Sequence, residues 1–174
     1  MPSCRIVYII GFMGSGKSVA GKKLAARLNW SFIDLDRKIE EKAGKTISRI
    51  FSEDGEEIFR RIEADVLRSM ASATDTVIST GGGTPCFGDN MDFMLETGVT
   101  IYLKRTPEQL RKRLAESSHE RPLLINITDD RLLDFIREKL AWREKWYKKA
   151  VITVCDLKIN YTSLLSLVKE RLNR

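Results

Sequence analysis

No apolar run in this 174-residue chain approaches the roughly 20 residues needed to span a bilayer, which excludes a membrane-spanning reading. The three cysteines, Cys4, Cys86 and Cys155, are odd in number and none stands in a CxxC pair. That pattern speaks against a disulfide framework or a zinc site and for unpaired thiols in a reducing compartment. The single histidine, His119, sits in an irregular polar stretch and reads as exposed loop rather than as a catalyst. Repeats, low-complexity tracts and linkers are also missing, so one domain over residues 1–174 is expected. Near the N-terminus one basic residue precedes a short apolar run that passes directly into a glycine-rich loop. No cleavage signal is apparent there, and a cytoplasmic location is expected.

What is present in excess is positive charge. The formal net charge is +6, and residues 104–149 alone hold thirteen Lys and Arg against eight Asp and Glu, a net of +5. Anionic ligands are therefore expected to be handled in the C-terminal half. The basic residues are interleaved with carboxylates and no nucleic-acid-binding signature accompanies them, so a nucleic-acid partner is not expected.

The hydrophobic pattern alternates between two periods. Arg5 to Ile10 is a continuously apolar, β-branched run ended by glycine, as in a strand buried on both faces. Further short runs at Trp30–Ile33, Thr76–Ser79, Val99–Leu103 and Val151–Val154 read as strands. Between them, Ala20, Leu24 and Leu28 recur at helical spacing, as do Phe59, Ile62, Val66 and Met70. Thr106-Pro107-Glu108-Gln109 carries an N-cap, a proline at N1 and a capping-box glutamine. The alternation predicts an α/β fold with a parallel sheet.

Gly11-Phe12-Met13-Gly14-Ser15-Gly16-Lys17-Ser18 fits the phosphate-loop pattern GxxxxGK[ST], placed between a buried strand and an amphipathic helix as its mechanism requires. Lys17 would reach the β and γ phosphates of ATP, Ser18 would ligate Mg²⁺, and the helix would aim its positive end at the anion. In Phe32-Ile33-Asp34-Leu35-Asp36, period-two geometry places Asp34 and Asp36 on one side of an extended strand end, where parallel sheets bind ligands. One would assist the metal and the other would accept a hydroxyl proton, with a helix N-cap as the competing reading. Arg60 shares a helix face with Glu63, and Arg143 falls on the apolar stripe of a helix spanning Asp129 to Lys149. Two such arginines would select an acidic acceptor, and ordinary internal salt bridges are the alternative. Arg121 lies in the irregular segment Glu116 to Asp130, a candidate mobile loop that would bring it to the phosphates. Gly81-Gly82-Gly83 after the third strand signals either a positive φ or a group pressed against the backbone.

In order along the chain stand GxxGxGKS at 11–18, DxD at 34–36, FRxxE at 59–63, TGGG at 80–83, RPLL at 121–124 and RxxxY at 143–147. Together they resemble the shikimate kinase family over nearly the whole chain. The resemblance implies a three-layer P-loop kinase fold with a five-stranded parallel sheet in the order 2-3-1-4-5, substrate-binding helices at about 34–62 and a lid at about 114–126. It implies transfer of the ATP γ-phosphate to the 3-hydroxyl of shikimate, a step toward chorismate and the aromatic amino acids, by a monomer. Shikimate would be held by Asp36, Arg60, Gly82 and Arg143, with Asp36 also the base. ATP would be held by Gly14, Ser15, Gly16, Lys17, Ser18, Val19 and Arg121, and Mg²⁺ by Ser18 and Asp34, with Lys17, Asp36 and Arg121 catalytic. Two stretches depart from the pattern: Thr84-Pro85-Cys86-Phe87 is an unusual continuation of the glycines, and Arg113 stands one position away from the family's adenine-contacting arginine. A gluconate-type kinase is the nearest rival; a nucleoside monophosphate kinase and a slow ATP-hydrolysing switch are weaker alternatives.

Overall fold

The computed structural model describes residues 5–116 and 127–173. Five strands, β1 (Ile6–Ile10), β2 (Ser31–Asp34), β3 (Thr76–Ser79), β4 (Val99–Leu103) and β5 (Ile152–Val154), form one sheet in the order β2-β3-β1-β4-β5. Every pairing is parallel. The expected order and class are met, and strand bounds read from β-branched runs differ from the observed ones by at most one residue at either end.

Both sheet faces are covered, which is why the strands carry unbroken apolar runs. Along β1 the side chains alternate: Ile6, Tyr8 and Ile10 enter one core, Val7 and Ile9 the other. The second core is closed by α1 (Lys17–Leu28) and α8 (Tyr161–Leu172) through Leu24, Leu164 and Val168. The first is closed by α2 (Leu35–Ala43), α3 (Ile47–Glu53), α4 (Gly55–Ser69), α5 (Asn90–Thr97), α6 (Pro107–Ala115) and α7 (Asp129–Tyr147). At the start of α6 the reciprocal Thr106–Gln109 capping box is formed, as its sequence requires. Among the described residues no helix is long and apolar enough to cross a membrane.

The C-terminal ends of β1, β2 and β3 lie side by side, with Asp34 paired in register with Ser79 and Thr80 N–H donating to Ile9. Three functional loops therefore leave the sheet at one edge, where open parallel sheets bind ligands.

Candidate active site

Between β1 and α1 the loop turns through Gly14 at φ 79° and Gly16 at φ 95°, conformations that L side chains rarely adopt. Gly16 is the N-cap of α1 and offers no side chain to its first amides, and no acidic residue occupies the first turn. The start of α1 and the positive end of its dipole thus face outward, as an anion site requires. Lys17 Nζ donates to the carbonyls of Gly11 and Phe12 at 3.0 and 3.1 Å, holding its ammonium against the loop.

Asp34 ends β2 and caps α2, its Oδ1 accepting from Asp36 N–H at 3.2 Å. The helix begins at Leu35, so Asp36 lies in its first turn and the two acids do not share an extended strand end. The capping role thus belongs to Asp34, and Asp36 is the acidic residue of the first turn, where it also complements the helix dipole. Asp34 Oδ2 accepts from Ser18 Oγ at 2.9 Å, and Ser79 Oγ lies 3.3 Å from the same hydroxyl. These three hard oxygens are a donor set that suits Mg²⁺. Among the described residues no cluster of three or more His, Cys, Asp or Glu is placed to hold a metal.

A cavity of about 600 Å³ runs over this loop, lined by Lys17, Ser18, Asp34, Asp36, Gly82 and Arg113, among others. Met13, Asp36 and Gly82 also line a second, narrower cavity of about 100 Å³ with Phe51, Phe59, Arg60, Glu63 and Arg143. Asp36 therefore stands at the junction of a phosphate chamber and a small side chamber. Burial, opposed by Lys17 and reinforced by the neighbouring Asp34, Glu63 and Glu40, pushes its carboxyl up from 3.8 to about 6.

The glycines after β3 are explained by close approach, since none of the three has a positive φ. A Cβ at Gly81 would sit 3.0 Å from Asp36 Oδ1, one at Gly82 3.1 Å from the Met13 backbone nitrogen, and one at Gly83 2.8 Å from both terminal nitrogens of Arg60. Arg60 donates to Glu63 Oε2 at 2.8 Å and to Glu56 Oε1 through Nε and Nη2 at 3.2 and 3.0 Å. Three of its five N–H groups are so engaged, leaving one on each terminal nitrogen. Arg143 is 4% exposed and lies over the Phe12 ring at 5.2 Å. Its Nε and Nη1 are buried and meet no acceptor among the described residues, a desolvation cost that an anion would relieve. Tyr147, one turn on, donates its hydroxyl to the Gly82 carbonyl and ties α7 to the glycine loop.

A third cavity of about 520 Å³ adjoins the phosphate chamber through Gly16, Val19 and Arg113 and runs toward Arg27, Lys158 and Tyr161. Val19 is exposed at its rim. Arg113 Nε donates to the Gly14 carbonyl at 2.7 Å, so this arginine is seated on the phosphate loop despite its offset in the sequence. Sequence reasoning gave no task to Ser79, Thr84 or Phe87, whose partners Ser18, Glu63 and Arg60 are distant in the chain. Arg121, His119 and most of the lid expected at about 114–126 lie outside the described residues.

A family model for shikimate kinase matches residues 13–170. The chain belongs to the shikimate kinase family. It is 49% identical to the shikimate kinase of Parabacteroides distasonis over 84% of its own length and 85% of that protein's. With the shikimate kinase of Bacteroides fragilis it shares 41% identity over 97% of this chain and 94% of the other. Among solved structures, the shikimate kinase from Bacteroides thetaiotaomicron superposes with a TM-score of 0.87 at 40% identity, covering 97% of this chain and 98% of that one. That from Acinetobacter baumannii in complex with shikimate gives 0.84 at 31% identity, over 97% and 92%. Membership makes the chain an ATP-using kinase with a P-loop fold.

Proposed function

We propose that the chain transfers the γ-phosphate of ATP to the 3-hydroxyl of shikimate, with the donor in the phosphate chamber and the acceptor in the narrow chamber beside it. The observation that carries this reading is the position of Asp36, which lines both chambers. An acceptor hydroxyl placed between it and the γ-phosphate would pass its proton to the carboxylate as the oxygen attacks phosphorus. A carboxyl at about 6 is ionised at neutral pH and is a stronger base than an ordinary aspartate.

The remaining roles follow from charge. Lys17 and the first amides of α1 would take the growing negative charge on the phosphoryl oxygens, fixed before the reaction begins. Arg143, with buried unsatisfied donors, and Arg60, with two N–H groups left over, would grip the acceptor's carboxylate and so orient the ring. Gly82 lets the acceptor approach the backbone. Ser18 and Asp34 would hold Mg²⁺, which when bound to ATP neutralises phosphate charge. Arg121 we assign to the phosphates from the lid. The unpaired thiols, Cys86 buried and Cys155 exposed, suit the reducing cytoplasm, and a monomer contains every residue named.

ADP release coupled to a dehydrogenase assay, run with shikimate, gluconate and nucleoside monophosphates in turn, tests the assignment. Turnover is expected with shikimate alone. Turnover with gluconate and none with shikimate would overturn it.

A further inference from the structure

The four residues that follow the glycines, Thr84-Pro85-Cys86-Phe87, form a short 3-10 turn and its exit, closed by Cys86 N–H to the Gly83 carbonyl at 2.8 Å. All three turn residues are buried. Neither phosphate chemistry nor the acceptor's hydroxyl accounts for that. What the turn does touch is Arg60. The Phe87 ring lies under the guanidinium, with the central carbon 3.8 Å from the ring centroid, closer than the 4.9 Å to Phe59 on Arg60's own helix. At Gly83 there is no room for a side chain between the backbone and the guanidinium. Thr84 Oγ1 donates to Glu63 Oε1 at 2.6 Å, while Glu63 Oε2 accepts from Arg60, so the threonine sets the carboxylate that sets the arginine. Asn90 Nδ2 in turn holds the Thr84 carbonyl at 2.9 Å.

A guanidinium on a helix surface has many rotamers, and gripping an anion costs the freedom it gives up. Here that freedom is removed beforehand, because Glu56 and Glu63 hold the edges and Phe87 holds a face. The plane of the guanidinium, and with it the two N–H groups left over, is thereby held. On its outer side Phe87 is itself backed by Trp142, 5.7 Å away between ring centroids, and Trp142 by Trp146 at 4.7 Å.

We propose that Phe87 is a positioning residue for the acceptor: its ring, with the Thr84–Glu63 pair, presets Arg60 to receive the substrate's carboxylate and thereby sets acceptor affinity. The inference rests on the assignment of Arg60 to that carboxylate. Phe87 lines neither the phosphate chamber nor the narrow one, so its removal is expected to act on ground state and transition state alike and to appear in KM.

Steady-state kinetics of Phe87→Leu, Phe87→Tyr, Arg60→Met and the double variant Arg60→Met/Phe87→Leu test it. Phe87→Leu is expected to raise KM for shikimate roughly five- to tenfold, with kcat and KM for ATP within about twofold of the parent. Phe87→Tyr, which restores a ring face, should bring KM back to within about twofold. In the Arg60→Met background the leucine should add nothing, because the group it positions is gone. Phe87→Met, close to the phenylalanine in volume, replaces the leucine variant should the latter not fold. An unchanged KM in Phe87→Leu, or an equal rise with and without Arg60, would show that the ring only packs and would overturn the proposal. If Arg60→Met leaves KM for shikimate unchanged, the carboxylate assignment fails beneath it, an outcome told apart by the single arginine variant alone.

Discussion

The donor and acceptor halves of the site are built by different means. The phosphate loop is a contiguous run whose working parts are mostly backbone amides, fixed by glycine conformations and by the start of α1. The acceptor chamber instead takes Asp36 from α2, Arg60 and Glu63 from α4, Gly82 from the loop after β3 and Arg143 from α7. A backbone cradle recognises a phosphate whatever is attached to it. Side chains gathered from three helices around a glycine recognise one shape and one charge, so selectivity is expected to reside there.

The largest effect that sharpens this contrast is the loss of the carboxylate proposed as base at the junction. Asp36→Asn should lower kcat by about 10² to 10⁴ while KM for ATP, measured in the same assay, stays within a few-fold. Wild-type kcat in that variant would return Asp36 to a structural role in the first turn of α2. In the parent enzyme, kcat/KM should fall about tenfold per pH unit below about 6 as the carboxyl takes up its proton, and a pH profile flat to pH 5 would remove it as the base.

The second effect lies wholly in the acceptor half. Arg143→Met removes a buried guanidinium with unsatisfied donors, so shikimate KM should rise about 10- to 100-fold. Unfolding in urea should show stability unchanged or increased, since a buried charge is replaced by an apolar chain. A loss of stability together with an unchanged KM would make Arg143 a structural residue.

The two halves also differed in how far they could be read in the sequence. Strands and the phosphate loop were legible because their signals are local: β-branched runs, and glycines at fixed offsets before Lys17 and Ser18. Arg143 was legible as a charge out of place on an apolar helix stripe, and Arg60 through the Glu63 that shares its helix face. Misread was the geometry of Asp34 and Asp36, since spacing alone does not say that α2 begins at Leu35. Thr84 and Phe87 stood out only as part of an unusual continuation of the glycines, because a threonine and a phenylalanine acquire a task only when the fold brings Glu63 and Arg60 to them. The reason for the glycines was left open in the same way, and the side chains of Asp36 and Arg60 with the Met13 backbone decided it.

A third, smaller effect concerns the cost of keeping a carboxylate at the junction. Because the Asp36 carboxyl is raised from 3.8 to about 6, its protonated form favours the folded chain. That contribution is fully present below pH 3.8 and is lost as pH rises through about 6. Asp36→Asn, which never ionises, should therefore gain on the parent between pH 4 and 6 and stay ahead above pH 7. After allowance for solvent at the half-buried side chain, the gain should be about 1 to 2 kcal/mol by urea unfolding at pH 8. Equal stabilities at pH 8 would mean that the carboxylate is well solvated and its basicity ordinary.

The smallest effect tests whether the halves are separable at all. Arg113 reaches the site from α6, donates to the Gly14 carbonyl at 2.7 Å and borders both the phosphate chamber and the cavity running toward Arg27 and Tyr161. It borders the acceptor chamber nowhere. Arg113→Gln keeps a hydrogen-bond donor but removes the charge, so KM for ATP should rise about three- to fivefold. Shikimate KM at saturating ATP should stay within twofold. A matching rise in both constants would show that the phosphate loop transmits its position to the acceptor chamber, through Met13 and Gly82 where the two cavities meet, and the division drawn between backbone cradle and side-chain receptor would then be one of construction and not of energetics.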